Sequence, residues 1–247
     1  MIQGHKDRTL IILAGGQSSR MGRDKTFLPY KDTTFLEHLV RKAKPYFSNI
    51  FVSAGSREHA LQIRRQLEDP PSGDPSEIPL DHIVTDLYDR IGPMGGILSV
   101  FETIRPESFV LLAVDIPEAD MQVLAVLADL AGHYPEAALM LRLTGSERVL
   151  PCSPGKDLSS GSGKASKGAE ACAAVYNRKA HRLMKAAYEQ GEYSLRKALG
   201  DDQIRCIGVS ALRPYLPDIR EEDLRQAFCN VNTPQEYERA CPDTSFS

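Results

Sequence analysis

The residues with the clearest potential for chemistry lie near the start of this chain. The apolar run Leu10–Leu13 ends abruptly in a glycine pair, Gly15 and Gly16, and two cations, Arg20 and Lys25, follow. The run predicts a buried parallel strand, and the glycines permit a tight turn. A loop of free backbone N–H groups beside two positive charges can bind a polyphosphate. The alternative is an ordinary glycine turn, and the loop has neither the dinucleotide-binding G-x-G-x-x-G spacing nor a Walker A sequence.

A second candidate is Asp115, which directly follows the apolar run Phe109–Val114 and precedes Ile116 and Pro117. A carboxylate at the end of a buried strand can point into a cleft and hold Mg²⁺. The alternative is an aspartate that begins a turn before proline, which is common in proteins. The choice between a metal ligand and a turn residue depends on which other side chains the fold brings next to Asp115.

Alternating strands and helices must position these residues. Besides the two runs above, strands are predicted at Asn49–Ala54, His82–Asp86, Ala137–Arg142, Ala171–Tyr176 and Ile204–Val209. Helices are predicted at Thr34–Pro45, Glu58–Leu67, Gly95–Ile104, Met121–Ala131, Ala180–Gln190, Ser194–Leu199 and Gln235–Ala240. The order predicts an α/β fold with a Rossmann-like, doubly wound, mainly parallel sheet and helices on both faces. In such sheets ligands bind beyond the carboxyl ends of the strands, so the first loop and Asp115 should share one cleft.

Length and composition favour one domain. The 247 residues, 42% of them hydrophobic, suit a single α/β domain over residues 9–241 after a tail at residues 1–8. Two segments near residues 69–79 and 153–170 are rich in proline or in glycine, serine and lysine, and we expect them to be flexible insertions.

Charge and cysteine content exclude several classes of function. A formal net charge of −3 and a pI of about 6.1 give no support to nucleic-acid binding, so any phosphate affinity must be local. The five cysteines lack metal-ligand spacing and fit reduced thiols in a cytoplasmic protein. We see no signal peptide and no apolar run of membrane length, so we expect a cytoplasmic location and no membrane partner.

The first loop resembles the signature loop of the molybdenum cofactor guanylyltransferase family, within the wider nucleotidyltransferases. Residues Leu13–Lys25 match the pattern L-A-G-G-x-S-x-R-M-G-x-D-K almost completely. Three further segments follow in the family's order. Gly92–Gly96 resembles the G-P-L-x-G loop, Asp115–Pro117 the strand-end D-x-P, and Phe228–Pro234 the F-x-N-V-N-T-P segment. The resemblance spans residues 9–240 apart from the insertions, with departures at Ser53, often asparagine in relatives, and at Val114, often cysteine.

The resemblance implies a role for most of these residues. Catalysis falls to Arg20 and Lys25, which neutralise phosphate charge, and to Asp115, which binds Mg²⁺ together with Asn232. The residues implied in GTP binding are Leu13, Ala14, Gly15, Gly16, Lys25, Ser53, Asp86, Gly92, Pro93, Gly95 and Asp115. The backbone N–H groups of residues 14–17 would surround the triphosphate. The acceptor is assigned to Ser194, Arg196 and Asn230. The alternatives are a solvated helix position for Arg196 and asparagines that only cap and turn the chain.

The implied donor is GTP. Asp86 lies where the family has an aspartate near the nucleoside, and a carboxylate can accept two N–H bonds from guanine that cytosine and uracil cannot supply in that arrangement. Gly15 and Gly16 also resemble the guanylyl branch, because cytidylyl relatives often have Ala-Gly there.

The resemblance implies Mg²⁺-dependent transfer of GMP from GTP to the terminal phosphate of Mo-molybdopterin, which gives the guanine dinucleotide cofactor and pyrophosphate. Implied protein partners insert molybdenum or deliver the cofactor to apo-molybdoenzymes. One alternative is a related transferase that uses CTP or a sugar phosphate. Another is a non-catalytic nucleotide-binding module that delivers the cofactor.

Overall fold

The computed structural model describes residues 7–15, 23–68, 82–88, 91–143 and 169–241. The strands are β1 (Thr9–Leu13), β2 (Pro29–Tyr30), β3 (Thr33–Thr34), β4 (Asn49–Ala54), β5 (Ile83–Thr85), β6 (Ser108–Ala113), β7 (Ala138–Arg142), β8 (Ala169–Asn177) and β9 (Ile204–Ile207). The helices are α1 (Phe35–Ala43), α2 (Arg57–Glu68), α3 (Pro93–Thr103), α4 (Met121–Ala131), α5 (Arg178–Glu189), α6 (Leu195–Leu199), α7 (Val209–Leu212), α8 (Glu221–Ala227) and α9 (Pro234–Ala240). Short 3-10 turns occupy Lys25–Phe27 and Asp201–Gln203.

Within the described residues, the central sheet has seven strands in the order β5-β4-β1-β6-β8-β7-β9, while β2 and β3 form a separate hairpin. Parallel pairs join β1 to β4 and β6, β4 to β5, and β7 to β9. Strand β8 is antiparallel to both of its neighbours, β6 and β7. The predicted mainly parallel sheet is therefore confirmed, with β8 as its antiparallel member and β9 at one edge.

The strand order indicates where a sheet of this type could bind a ligand. From β1 the chain moves outward to β4 and β5, and then returns to the other side of β1 to form β6. Because the winding direction reverses between β1 and β6, their carboxyl ends flank the crevice where doubly wound sheets bind ligands. The first loop follows β1, and Asp115 follows β6.

Both faces of the sheet are covered, as predicted. Side chains of β1 alternate between two apolar clusters, with Leu10 and Ile12 in one and Ile11 and Leu13 in the other. Helices α1, α2, α4, α7, α8 and α9 contribute to the first cluster, and α3, α5 and α6 contribute to the second. A strand buried on both faces needs apolar residues at every position, which explains the continuous runs in the sequence. No helix among the described residues is long and apolar enough to cross a membrane.

Several predicted boundaries are wrong. Val209 begins α7 instead of ending a strand, and the sequence analysis missed α8 and the β2–β3 hairpin. Ala169 and Glu170, placed in the second insertion, begin β8. The rest of that insertion and all of residues 69–79 lie outside the described residues.

The position of Arg8 contradicts the prediction that the tail extends from residue 1 to residue 8. The Arg8 side chain is only 6% exposed, and its Nε and Nη2 donate to the two carboxylate oxygens of Asp129 at 2.9 and 2.8 Å. Its Nη1 also donates to the carbonyl oxygen of Tyr46 at 3.2 Å. Arg8 therefore belongs to the folded domain and ties the chain before β1 to α4, while residues 1–6 lie outside the described residues.

Replacing Asp129 by alanine should lower the free energy of unfolding by about 2–3 kcal/mol, because the buried Arg8 guanidinium loses its carboxylate partner. Urea unfolding followed by circular dichroism measures the change. The matched control is Asp201→Ala, which breaks the paired Arg196–Asp201 contact at a half-exposed position and should barely move the midpoint. Equal midpoint shifts in the two variants would contradict the stabilising role of Arg8.

Candidate active site

Four parallel strands deliver the predicted residues to one edge of the sheet. Ala14 and Gly15 follow β1, Ser53 lies near the end of β4, Asp86 follows β5 and Asp115 follows β6. The registers of β1 with β4 and β6 align these ends, since Leu13 pairs with Ser53 and Ala113. The sequence prediction that they share one cleft is consistent with this alignment.

Lys25 joins two of the predicted site residues. Its Nζ donates to Asp115 Oδ2 at 2.9 Å and to Asn232 Oδ1 at 2.6 Å. The side chains of Lys25 and Asp115 are 12% and 20% exposed. Residues far apart in the sequence therefore form one charged, mostly buried cluster beside the crevice.

The Phe228–Pro234 segment reaches Asp115 through its backbone. The Val231 N–H donates to the Asp115 carbonyl oxygen at 2.8 Å, and Phe228 and Val231 are buried in the core. Glu236 Oε2 accepts the N–H groups of Asn232 and Thr233 at 2.7 and 2.9 Å, and the Asn232 N–H lowers the pKa of the Glu236 carboxyl. Thr233 caps α9, so Asn232 is not the helix cap, and its side chain binds Lys25 instead.

Asp24 sets the start of the short turn that carries Lys25. Its Oδ1 accepts the Thr26 N–H at 2.9 Å, and its Oδ2 lies 3.0 Å from Nε2 of His59. Burial favours a raised pKa for the Asp24 carboxyl, but the contacts with His59 and Thr26 outweigh it and hold the pKa below its ordinary value. Asp24 is therefore held as a carboxylate next to Lys25.

His59 is a site residue that the sequence analysis missed. It lies in the first turn of α2, its side chain is 12% exposed, and the ring of Phe27 packs edge-on against it at 5.5 Å. Burial raises the pKa of the Asp86 carboxyl above its ordinary value, and His59 opposes this rise. The described contacts of the His59 side chain are with Asp24 and Phe27, on either side of Lys25. The only available sequence signal was a histidine in the first helical turn after a strand end.

Ser53 acquires a role that the sequence left open. Its Oγ is fully buried and donates to Asp86 Oδ1 at 3.1 Å. Burial raises the pKa of Asp86, while the Ser53 hydroxyl and His59 lower it. A Cβ on Gly96 would lie 3.0 Å from Ser53 Oγ and 2.6 Å from Leu13 Cδ1, so glycine lets α3 pack closely here. Ser53 therefore orients Asp86.

The glycine-rich entry to α3 packs against the segment that follows Asp86. Gly92 has a φ of +65° and precedes Pro93, the first residue of the helix. A Cβ on Gly95 would lie 2.9 Å from the Tyr88 carbonyl oxygen. Ser99 Oγ donates to the Gly95 carbonyl oxygen and accepts the Leu87 N–H, both at 2.7 Å. This packing fixes the Asp86 segment on α3. The predicted contact of these glycines with a base or ribose stays a prediction.

The predicted contact of the Ala14 and Gly15 N–H groups with a triphosphate is wrong. The N–H groups of Ala14 and Gly15 both donate to the Ser53 carbonyl oxygen at 2.9 Å, so they do not point to a triphosphate. The Cβ position of Gly15 lies 2.4 Å from the backbone nitrogen of Gly55, so this glycine is needed for close approach to the β4 end. Parallel pairing of β1 with β4 continues past the strand end and uses these two donors.

The oxygens around Lys25 fit a magnesium ion. Asp115 Oδ1 is buried and has no hydrogen-bond partner among the described residues. With Asp115 Oδ2 and Asn232 Oδ1 it forms an all-oxygen donor set, which Mg²⁺ prefers. The described residues contain no group of three or more His, Cys, Asp or Glu side chains that could hold a metal. Mg²⁺ commonly takes only one or two carboxylates and completes its shell with water and substrate phosphates.

The chain is similar to a known protein family over most of its length. The sequence profile of the MobA-like NTP transferase domain matches residues 10–206, which cover β1, β4, β5, β6 and the residues after them. The chain belongs to the MobA-like NTP transferase domain family. Its match therefore includes Lys25, Asp86 and Asp115 but ends before Asn232.

Several proteins similar to this MobA-like chain have names that refer to the molybdenum cofactor or to molybdopterin. A protein of Clostridium perfringens (strain 13) named "Probable molybdenum cofactor guanylyltransferase" is 23% identical over 94% of this chain and 94% of its own length. A molybdenum cofactor guanylyltransferase of Pseudomonas syringae pv. syringae is 28% identical over 54% of this chain, and the match covers 60% of that protein. The crystal structure of molybdopterin-guanine dinucleotide biosynthesis protein A from Archaeoglobus fulgidus superposes with a TM-score of 0.67 at 19% identity, covering 94% of this chain and 96% of that one. The last comparison confirms the α/β nucleotidyltransferase fold.

The remaining predicted residues lie outside the Lys25–Asp115–Asn232 cluster or outside the described residues. Arg20 and Gly16 lie outside the described residues. Arg196 donates to both carboxylate oxygens of Asp201 at 2.9 and 3.1 Å, and Ser194 is the N-cap of α6. Asn230 Oδ1 is buried without a hydrogen-bond partner in the part of the chain that the structure describes, two residues before Asn232. Acceptor binding by Ser194, Arg196 and Asn230 stays a prediction.

Proposed function

We propose that this protein transfers GMP from GTP to the terminal phosphate of Mo-molybdopterin in a Mg²⁺-dependent reaction and releases pyrophosphate. The observation that carries the proposal is the Lys25–Asp115–Asn232 cluster, placed at the crevice between β1 and β6. The names of relatives that align over nearly the whole chain support the choice of donor and acceptor.

The proposed chemistry needs no covalent intermediate on the protein. A phosphate oxygen of the acceptor forms a bond to the α-phosphorus of GTP, and the bond between this phosphorus and the β-phosphate oxygen breaks. Lys25, and Arg20 in the first loop, would stabilise negative charge on the α- and β-phosphates and on the departing pyrophosphate. Asp115 and Asn232 would hold Mg²⁺, which supplies further positive charge at the phosphate oxygens when it is bound. The fold contributes mainly orientation of the two substrates.

Asp86 is the proposed selector of guanine. Its position on the β5 end is fixed by the Ser53 hydroxyl and by the packing of the following residues on α3. Asp86→Asn should lower kcat/KM for GTP by roughly 10- to 100-fold, because one acceptor oxygen for the guanine N–H groups becomes a donor. Competition between GTP and CTP in steady-state assays measures the change. Ser53→Ala, which leaves the carboxylate in place, should lose less. An unchanged GTP preference in Asp86→Asn would contradict the assignment.

His59 should act through the position of Lys25. His59→Ala removes the contact with Asp24 Oδ2, so the turn that carries the lysine loses a support. We expect kcat for GMP transfer to fall about tenfold with little change in KM for GTP, because a small displacement of a catalytic group slows the chemical step. The control is His133→Ala at an exposed position, which should behave like the wild type. A change in KM alone would exclude this role.

One assay separates the proposed enzyme from a nucleotide-binding module. Purified protein with GTP and Mo-molybdopterin should release pyrophosphate in the presence of Mg²⁺, and a pyrophosphatase-coupled assay detects it. Chelation of Mg²⁺ should stop the release. A binding module would take up GTP without releasing pyrophosphate under any of these conditions.

A further inference from the structure

We propose that Lys25 occupies the cation position of the site, so that its ammonium and the metal ion compete for Asp115 and Asn232 until a nucleoside triphosphate draws the lysine away. The proposal rests on the function proposed above, because it concerns the metal ion of that reaction. It adds an order of events: the nucleotide frees the metal ligands that the ion then uses.

The competition follows from shared oxygens. Lys25 Nζ bonds to Asp115 Oδ2 at 2.9 Å and to Asn232 Oδ1 at 2.6 Å, and these oxygens are the ones that fit Mg²⁺. An ammonium and a divalent cation on the same pair of oxygens would be in close contact, and two positive charges at that range repel each other. Water cannot screen the repulsion well, since the Lys25 and Asp115 side chains are only 12% and 20% exposed.

Asp115 Oδ1 is one metal ligand that Lys25 does not occupy. This oxygen is buried and has no hydrogen-bond partner among the described residues, so a metal ion can contact it while Lys25 stays in place. A single carboxylate oxygen beside an ammonium is a weak metal ligand. Tighter binding requires Asp115 Oδ2 and Asn232 Oδ1 as well, and both become available only when the lysine leaves.

A triphosphate can remove the lysine without breaking the fold. Lys25 has a flexible four-carbon stem, and it begins a short turn whose backbone is fixed separately by Asp24 and Thr26. The several negative charges of a triphosphate attract an ammonium strongly. Asn232 and Asp115 keep their positions through the Val231–Asp115 backbone bond and the Glu236 carboxylate. The ligands therefore stay in place while Lys25 exchanges partners.

The test measures binding of Mn²⁺ alone to the full chain without nucleotide, by the electron paramagnetic resonance signal of free Mn²⁺. Lys25→Met should bind Mn²⁺ about tenfold more tightly than the wild type or more, because one competing charge is gone. Lys31→Met, which removes the same charge from an exposed position, should match the wild type. Asp115→Asn added to Lys25→Met should abolish the gain. Equal affinities in the wild type and Lys25→Met would overturn the proposal.

Thermal unfolding is a second measurement, and it also shows whether the Lys25 variants are folded. Thermal unfolding of Lys25→Met and of the polar variant Lys25→Gln should show a larger Mn²⁺-induced rise in Tm than the wild type. If the two variants bind Mn²⁺ more tightly but the wild type does not transfer GMP, the proposed function is wrong and the exchange of Lys25 for the metal ion stands. If the wild type transfers GMP but neither variant gains affinity for Mn²⁺, the exchange is wrong and the proposed function stands.

Discussion

Replacing Lys25 or Asp115 by alanine should each lower the turnover of GMP transfer by at least about 2 orders of magnitude, a loss of about 3 kcal/mol of transition-state stabilisation. Lys25→Ala removes positive charge that the developing pyrophosphate needs. Asp115→Ala removes the carboxylate that holds the metal ion. Steady-state rates of pyrophosphate release with GTP and Mo-molybdopterin measure both variants.

The two side chains touch each other, so their effects should not add. A double variant should lose little more than the worse single variant, because either change disrupts the same cluster. Lys31→Ala serves as the control, since this lysine is exposed and contacts Glu118 instead of the cluster. Near-normal rates in both purified single variants would contradict the assignment of the active site.

Gly15→Ala should destabilise the protein by about 3 kcal/mol and remove most of its activity. The new methyl group would lie 2.4 Å from the Gly55 backbone nitrogen and 2.6 Å from its Cα. Backbone cannot rotate away as a side chain can, so the ends of β1 and β4 must separate. The bonds from the Ala14 and Gly15 N–H groups to Ser53 would weaken with them. Urea unfolding and the transfer assay measure the two effects.

The control for this change is Gly132→Ala. Gly132 ends α4 with an ordinary helical backbone, and nothing lies within 4 Å of its Cβ position. The same chemical change should leave stability unchanged or raise it slightly. If Gly15→Ala were as stable and active as Gly132→Ala, close contact between the strand ends would not be a requirement of this site.

The strands and most helices could be predicted because each carries its own local signal. Continuous apolar runs mark β1, β4 and β6, and Thr233-Pro234 marks the start of α9 through a cap and a proline at the first position. The alignment of the strand ends that carry Ser53 and Asp115 could be predicted as well, since the carboxyl ends of parallel strands meet at one edge of a sheet. Lys25, which follows β1 in the sequence, contacts Asp115 for this reason.

Other features depend on contacts between distant segments, which a single sequence does not encode locally. The two N–H groups after β1 are used by Ser53 because of the register of β1 with β4. Pairing of Arg8 with Asp129 needs the end of α4 to lie beside the start of β1. Likewise, His59 becomes a neighbour of Asp24 only after α2 has packed on the sheet.

The most direct test of the proposed function is product analysis with all four nucleoside triphosphates. Purified protein, Mg²⁺ and Mo-molybdopterin are incubated with each triphosphate in turn, and products are identified by mass spectrometry. We predict a GMP-linked molybdopterin from GTP alone, with none from the Asp115→Ala variant. A CMP-linked product would preserve the mechanism but contradict the role of Asp86. No nucleotide-linked product from folded protein with any triphosphate would contradict the proposed reaction.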